Sequence, residues 1–131
     1  MSITRLAVNL AAPLPQLESY KRYLFIGPHP DDIEIGAGAT AAKLALAGKE
    51  IAFLCCTDGR YGSATVPPEE LIPIRRAEAE ASAAALGVHD VRFLPFCDGG
   101  FYDTAKLREE IARVVGEFKP DVIFCPDHRV K

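Results

Sequence analysis

The stretch Tyr23-Leu24-Phe25-Ile26-Gly27-Pro28-His29-Pro30-Asp31-Asp32 decides how this chain is read. Its first four residues are an unbroken apolar run, the pattern of a strand covered on both faces. Gly27-Pro28 ends that run. Residues 36–47, rich in alanine and leucine, then predict a helix that stops at Gly48, since glycine is the usual residue just past a helix end. A buried strand feeding a helix is the first half of a βαβ unit.

Working outward, the same alternation recurs. Residues 51–56 predict a second strand, which runs into the turn-rich Thr57-Asp58-Gly59-Arg60-Tyr61-Gly62. Pro67, Pro68, Glu69 and Glu70 open the next helix, because proline suits a first turn and carboxylates favour its positive end. Ile74, Ala77, Ala81 and Ala84 or Ala85 predict its buried stripe, and Gly87 closes it. Residues 91–94 are the third strand. Asp103 or Thr104 caps a helix with the apolar face Leu107, Ile111, Val114 and Phe118. Lys119-Pro120 ends it ahead of a fourth strand over 121–125. Four strands separated by three helices predict an α/β fold, a three-layer sandwich with a mostly parallel sheet. Residues 1–21, interrupted by Pro13 and Pro15, are expected to form an N-terminal arm ahead of one domain over 22–131.

Composition bounds the function. The chain has 131 residues, 49% hydrophobic and 25% charged, with a net charge of −3. That balance gives no electrostatic reason to bind nucleic acid or an anionic membrane. No apolar run reaches the length needed to span a bilayer, and the first residues lack signal-peptide character, so a cytoplasmic location is expected. Cys55, Cys56, Cys97 and Cys125 form no CxxC pair and read as reduced thiols. All four fall near carboxyl ends of predicted strands, which leaves a redox-sensitive or thiol-lined site as a minor expectation.

In open α/β sheets the functional crevice lies outside those carboxyl ends. His29, Asp31 and Asp32 follow the first strand directly and belong in that crevice. Two carboxylates and an imidazole in one turn are costly to bury unpaired, and a divalent cation removes the cost. Imidazole with carboxylate suits zinc, whose catalytic sites use three protein ligands and keep one position open; iron, manganese and nickel accept the same donors. Neighbouring aspartates do not easily point the same way, so one is free to ligate while the other faces water. The bland alternative is that His29 or Asp32 merely caps the next helix.

The turn and its continuation Ile33-Glu34-Ile35-Gly36-Ala37-Gly38-Ala39-Thr40 resemble the signature of the LmbE/PIG-L family of zinc-dependent N-deacetylases. The likeness continues through Thr57-Asp58-Gly59, Arg75-Arg76-Ala77-Glu78, Asp98-Gly99-Gly100 and residues 119–124. It implies a Rossmann-like fold and removal of an acetyl group from an N-acetylglucosaminyl conjugate or related amide. By position it implies that His29 and Asp32 ligate the zinc, that Asp31 is the general base, and that Arg75 binds a small-molecule N-acetylated sugar substrate. Arg76 competes for that last role, and an Arg75–Glu78 pair on a solvated face is the plain alternative. Glu34, Asp58 and Asp98 stand at strand ends, where they read equally well as helix caps or loop braces.

The family takes its third ligand from a histidine in an HPDH-like segment. Cys125-Pro126-Asp127-His128 matches this only loosely, with cysteine where the proton-donating histidine would be. The expected alignment puts Cys125 at the strand end, with the chain stopping short of the third ligand. His128 as that ligand is the other possibility. Two further classes compete: a nucleotide-binding module, suggested by Gly36-Ala37-Gly38 but lacking the third glycine, and a non-catalytic sugar-binding module, with this chain inactive by itself.

Overall fold

Residues 16–100 and 103–127 are described by the structure, a computed structural model. Four strands, β1 (Arg22–Gly27), β2 (Glu50–Thr57), β3 (Asp90–Phe96) and β4 (Val122–Phe124), form one sheet in the order β3-β2-β1-β4. All three pairings are parallel, with Phe25 opposite both Phe53 and Phe124. The connecting helices are α1 (Asp32–Leu46), α2 (Pro68–Ala85) and α3 (Thr104–Phe118).

The apolar runs are continuous because both faces of the sheet are covered. Tyr23, Phe25, Ile51 and Phe53 pack on one face with Ile33, Ala41 and Leu44 of α1 and Ala83 of α2. Leu24, Ala52, Leu54 and Leu94 pack on the other with Val114 and Phe118 of α3. The result is the expected three-layer sandwich. Phe25 stacks on Phe124 with ring centroids 4.5 Å apart, and meets Phe53 edge-on at 5.6 Å. Short as it is, β4 is also tied to β1 by Asp121, whose Oδ2 accepts the backbone N–H groups of Lys21 and Arg22, both at 2.9 Å.

Two local readings need correction. First, α1 begins at Asp32, four residues before the expected Gly36. Asp32 and Glu34 occupy its first turn, where carboxylates meet the positive helix end; the acidic turn and the helix start are therefore one object. Second, the buried stripe of α2 is Leu71, Ala79 and Ala83, whereas Ile74, Ala77, Ala81, Ala84 and Ala85 are exposed. The face predicted for α3 is the observed one, with Leu107 and Ile111 packed beside Val114 and Phe118, and Asp103 caps it by accepting from the N–H groups of Ala105 and Lys106.

Of the arm expected over 1–21, residues 1–15 lie outside the described residues. Leu17–Ser19 form one 3-10 turn, held by the Tyr23 hydroxyl, which donates to the carbonyls of Leu17 and Tyr20.

Strand order explains where a site can form. The chain moves outward from β1 to β2 to β3, then returns past β1 to β4. The connection from β1 leads to β2 on one side while the connection from β3 places β4 on the other, and this change of direction marks a crevice at the carboxyl end of β1.

Candidate active site

The loop after β1 is built by close contacts that only particular residues allow. A Cβ on Gly27 would lie 2.8 Å from Cγ1 of Ile33, so glycine is what lets the turn fold back against the start of α1. Thr57, buried at the end of β2, donates both its backbone N–H and its hydroxyl to the Pro28 carbonyl, at 2.9 and 2.7 Å. The His29 carbonyl accepts from Asp31 N–H at 2.9 Å. Gly59, at φ +66°, carries the β2–α2 loop across the Pro30 ring. The turn is thus clamped from β2 on one side and α1 on the other.

Within it the two aspartates take different partners. Asp32 Oδ2 accepts the His29 N–H at 2.8 Å and lies 3.0 Å from His29 Nδ1. Asp31 Oδ2 instead accepts from the Arg75 guanidinium at 2.8 Å. Arg75 reaches the site from α2 and also bonds Glu78 at 2.7 Å, so the helix-surface pair and the contact with the turn coexist. Arg76 points elsewhere: its guanidinium lies over the Phe93 ring at 4.6 Å and pairs with Glu80. The structure therefore brings His29, Asp31, Asp32 and Arg75 together and leaves Arg76 out.

Asp98, which its strand-end position left balanced against a cap or a brace, also belongs here. Its Oδ1 lies 2.9 Å from His29 Nε2, although β3 is two strands away from β1. A separation of 69 positions leaves no spacing that local pattern could register. Behind it, Asp58 Oδ1 accepts the Asp98 N–H at 3.3 Å, while Asp58 Oδ2 accepts from Arg60 at 2.6 and 2.9 Å. Burial pushes the Asp58 carboxyl up, yet the bonds from Arg60 and from the Arg60 and Asp98 N–H groups outweigh it and hold the pKa low.

Two of these donors have the spacing that a metal ion requires. Neighbouring donors on a tetrahedral ion with 2.0–2.1 Å bonds stand roughly 3.3 Å apart, close to the 3.0 Å between His29 Nδ1 and Asp32 Oδ2. These two fit adjacent corners of one site. Among the described residues no three His, Cys, Asp or Glu side chains form a complete cluster, and His128 lies outside them.

The cysteines do not converge. Cys56 packs toward α3, while Cys55 lies under Pro30, Ile33 and Glu34. Burial raises the Cys55 thiol to about 12, helped by Glu34, and burial raises Cys56 to about 11. Gly36 and Gly38 lie inside α1, where Gly38 faces the Leu86 side chain and Gly36 faces open space.

A family model for PIG-L, the GlcNAc-PI de-N-acetylases, matches residues 24–131. The chain belongs to the PIG-L family. It is 38% identical over 109 residues to diacetylchitobiose deacetylase of Thermococcus kodakarensis, covering 82% of this chain and 41% of that protein. It is also 38% identical over 109 residues to 1D-myo-inositol 2-acetamido-2-deoxy-alpha-D-glucopyranoside deacetylase of Kineococcus radiotolerans, covering 78% of this chain and 30% of that one. Among solved structures, N,N'-diacetylchitobiose deacetylase of Pyrococcus horikoshii superimposes with a TM-score of 0.83 at 32% identity, over 97% of this chain and 51% of that one. This PIG-L chain thus spans about half the length of the relatives it matches, or less. No helix among the described residues is long and apolar enough to cross a membrane.

Proposed function

We propose that the protein is a zinc-dependent hydrolase that removes an acetyl group from an N-acetylglucosaminyl conjugate or a related amide. In this reading His29 and Asp32 hold the metal, Asp31 is the general base and Arg75 binds the substrate. The observation that carries it is the split between neighbouring carboxylates, Asp32 on the imidazole and Asp31 on Arg75. Family membership supports it, as do the activities of the Thermococcus and Kineococcus relatives, both deacetylases of N-acetylated sugars.

When bound, zinc lowers the pKa of water to about 7 and withdraws charge from the acyl oxygen. The rest of the work falls to this chain's residues. The Asp31 carboxylate accepts a proton from the water as its oxygen attacks the amide carbonyl carbon. Arg75 presents N–H donors to sugar oxygens, and because it also bonds Asp31 it keeps that carboxylate at the substrate's edge. The C–N bond then breaks and the nitrogen takes up a proton, leaving acetate and a free amine. The substrate is a small molecule. A reducing, cytoplasmic setting agrees with four cysteines that are all unpaired.

The test is acetate release from N,N'-diacetylchitobiose by the zinc-supplied protein and by its Asp31→Ala variant. Loss of turnover with zinc content retained is the expected result. Full turnover in the variant removes Asp31 from the mechanism.

A further inference from the structure

His29 has a carboxylate at each ring nitrogen: Asp32 Oδ2 3.0 Å from Nδ1, and Asp98 Oδ1 2.9 Å from Nε2. The two nitrogens of an imidazole diverge, so only one of these carboxylates shares a metal ion with the ring. The other meets the far edge of the ligand. We infer that Asp98 is the positioning residue of this site: it accepts a hydrogen bond from His29 Nε2–H and so fixes the tautomer that offers Nδ1 to the metal beside Asp32. The inference rests on the proposed assignment of His29 and Asp32 as ligands.

Three observations separate the two carboxylates. Asp32 lies three residues from His29 and also accepts the His29 backbone N–H at 2.8 Å, so it moves with the turn and shares its open side. Asp98 comes from a different strand end and is the less exposed of the two, its side chain at 19% against 34% for Asp32. It is also braced from behind, through its N–H to Asp58, which is locked in turn by Arg60. A ligand-orienting group requires such fixity, because its task is to hold a ring plane still. A neutral imidazole has one N–H and one lone pair, and a carboxylate on Nε2 leaves Nδ1 as the lone-pair donor. Carboxylate–histidine–metal relays of this kind orient the ring and raise its basicity, and losing the outer carboxylate typically costs 10- to 100-fold in metal affinity.

The placement explains the Asp58–Arg60 pair as well. On its own it looks like a loop brace. Connected as Arg60 to Asp58 to Asp98 to His29, it transmits the rigidity of the β2 and β3 ends to the ligand.

The experiment compares zinc affinity, by chelator competition, for the unmodified 131-residue chain and its Asp98→Ala, Asp98→Asn and Asp32→Ala variants. Long-range 15N spectra of the His29 ring are recorded on the zinc-bound forms. Expected for Asp98→Ala is a 10- to 100-fold weaker affinity. Asp98→Asn, whose amide oxygen still accepts from Nε2–H, should stay within a few-fold of the unmodified chain, with the proton on Nε2. A melting temperature recorded for each variant separates loss of folding from loss of orientation, and Asp98→Asn keeps the test open if alanine unfolds the loop. Unchanged affinity in Asp98→Ala overturns the inference, as does a proton found on Nδ1 with zinc bound. If Asp32→Ala binds zinc normally while Asp98→Ala does not, Asp98 is itself the ligand and both assignments fall. An unmodified chain that binds no zinc fails the metal reading first, and the inference with it.

Discussion

The Arg75 guanidinium bridges two carboxylates, Asp31 at 2.8 Å and Glu78 at 2.7 Å, across the 44 residues that separate Asp31 from Arg75. One arginine of the Arg75-Arg76 pair is thereby drawn into the crevice while its neighbour lies over Phe93. Charge-assisted hydrogen bonds of this type are worth roughly 1.5–3 kcal/mol. Replacing Arg75 by alanine should therefore lower kcat/KM for deacetylation about 10- to 100-fold, with zinc content unchanged. Arg76→Ala should alter it less than about twofold. The reverse ranking in acetate-release kinetics would transfer the substrate role to Arg76.

Phe25 sits at the centre of the sheet, 1% exposed, between the rings of Phe53 and Phe124. Phe25→Ala removes both ring contacts and leaves a cavity, at a cost of about 3–5 kcal/mol. Ile74, 44% exposed on α2, should cost no more than about 0.5 kcal/mol when changed to alanine. Urea unfolding of the two variants measures the contrast. A large loss at Ile74 would mean that the sequence-predicted face of α2 is buried after all.

That contrast shows what the sequence made legible. The strands were readable because parallel strands are buried on both sides, so each appears as a solid apolar run. The face of α3 was readable because Leu107, Ile111, Val114 and Phe118 stand out against charged neighbours. In α2 every apolar residue after Ile74 is alanine, which is at home on either face. Ala79 and Ala83 are buried while Ala77 and Ala81 are exposed, and periodicity had no contrast to follow. At the site, the turn was legible as a local cluster, but the contacts of Asp98 and Arg75 with it cross the sheet and depend on strand order. Arg75 was placed near the crevice by its early position in a helix and by the likeness to other chains, whereas the strand-end position of Asp98 did not separate a site residue from a cap or brace.

The four thiols should differ sharply in reactivity. Alkylation requires the thiolate, and burial holds Cys55 and Cys56 in the thiol form, at about 12 and 11. Cys125 is exposed, and Cys97 is half-buried with its Sγ donating to the Asp98 carbonyl. Iodoacetamide at neutral pH followed by peptide mass mapping should label Cys125 first, then Cys97, and reach Cys55 and Cys56 only after unfolding. Early labelling of Cys55 would show that the floor of the site opens to solvent in the folded chain.

Asp58 should make the fold acid-sensitive. Its pKa is held below the ordinary aspartate value of about 3.9, so the folded state binds that proton less readily than the unfolded chain does. The stability it contributes is therefore full above the unfolded value and fades as pH falls through the folded one. Asp121 titrates in the same direction through the N–H groups of Lys21 and Arg22, so part of the acid loss persists without Asp58. Asp58→Asn should be less stable at neutral pH by on the order of 1–3 kcal/mol, because Arg60 loses a charged acceptor. It should also lose less of its melting temperature than the unmodified protein between about pH 6 and about pH 3. Melting curves across that range decide the point: parallel acid losses in the two proteins would show that Asp58 contributes nothing to the pH dependence.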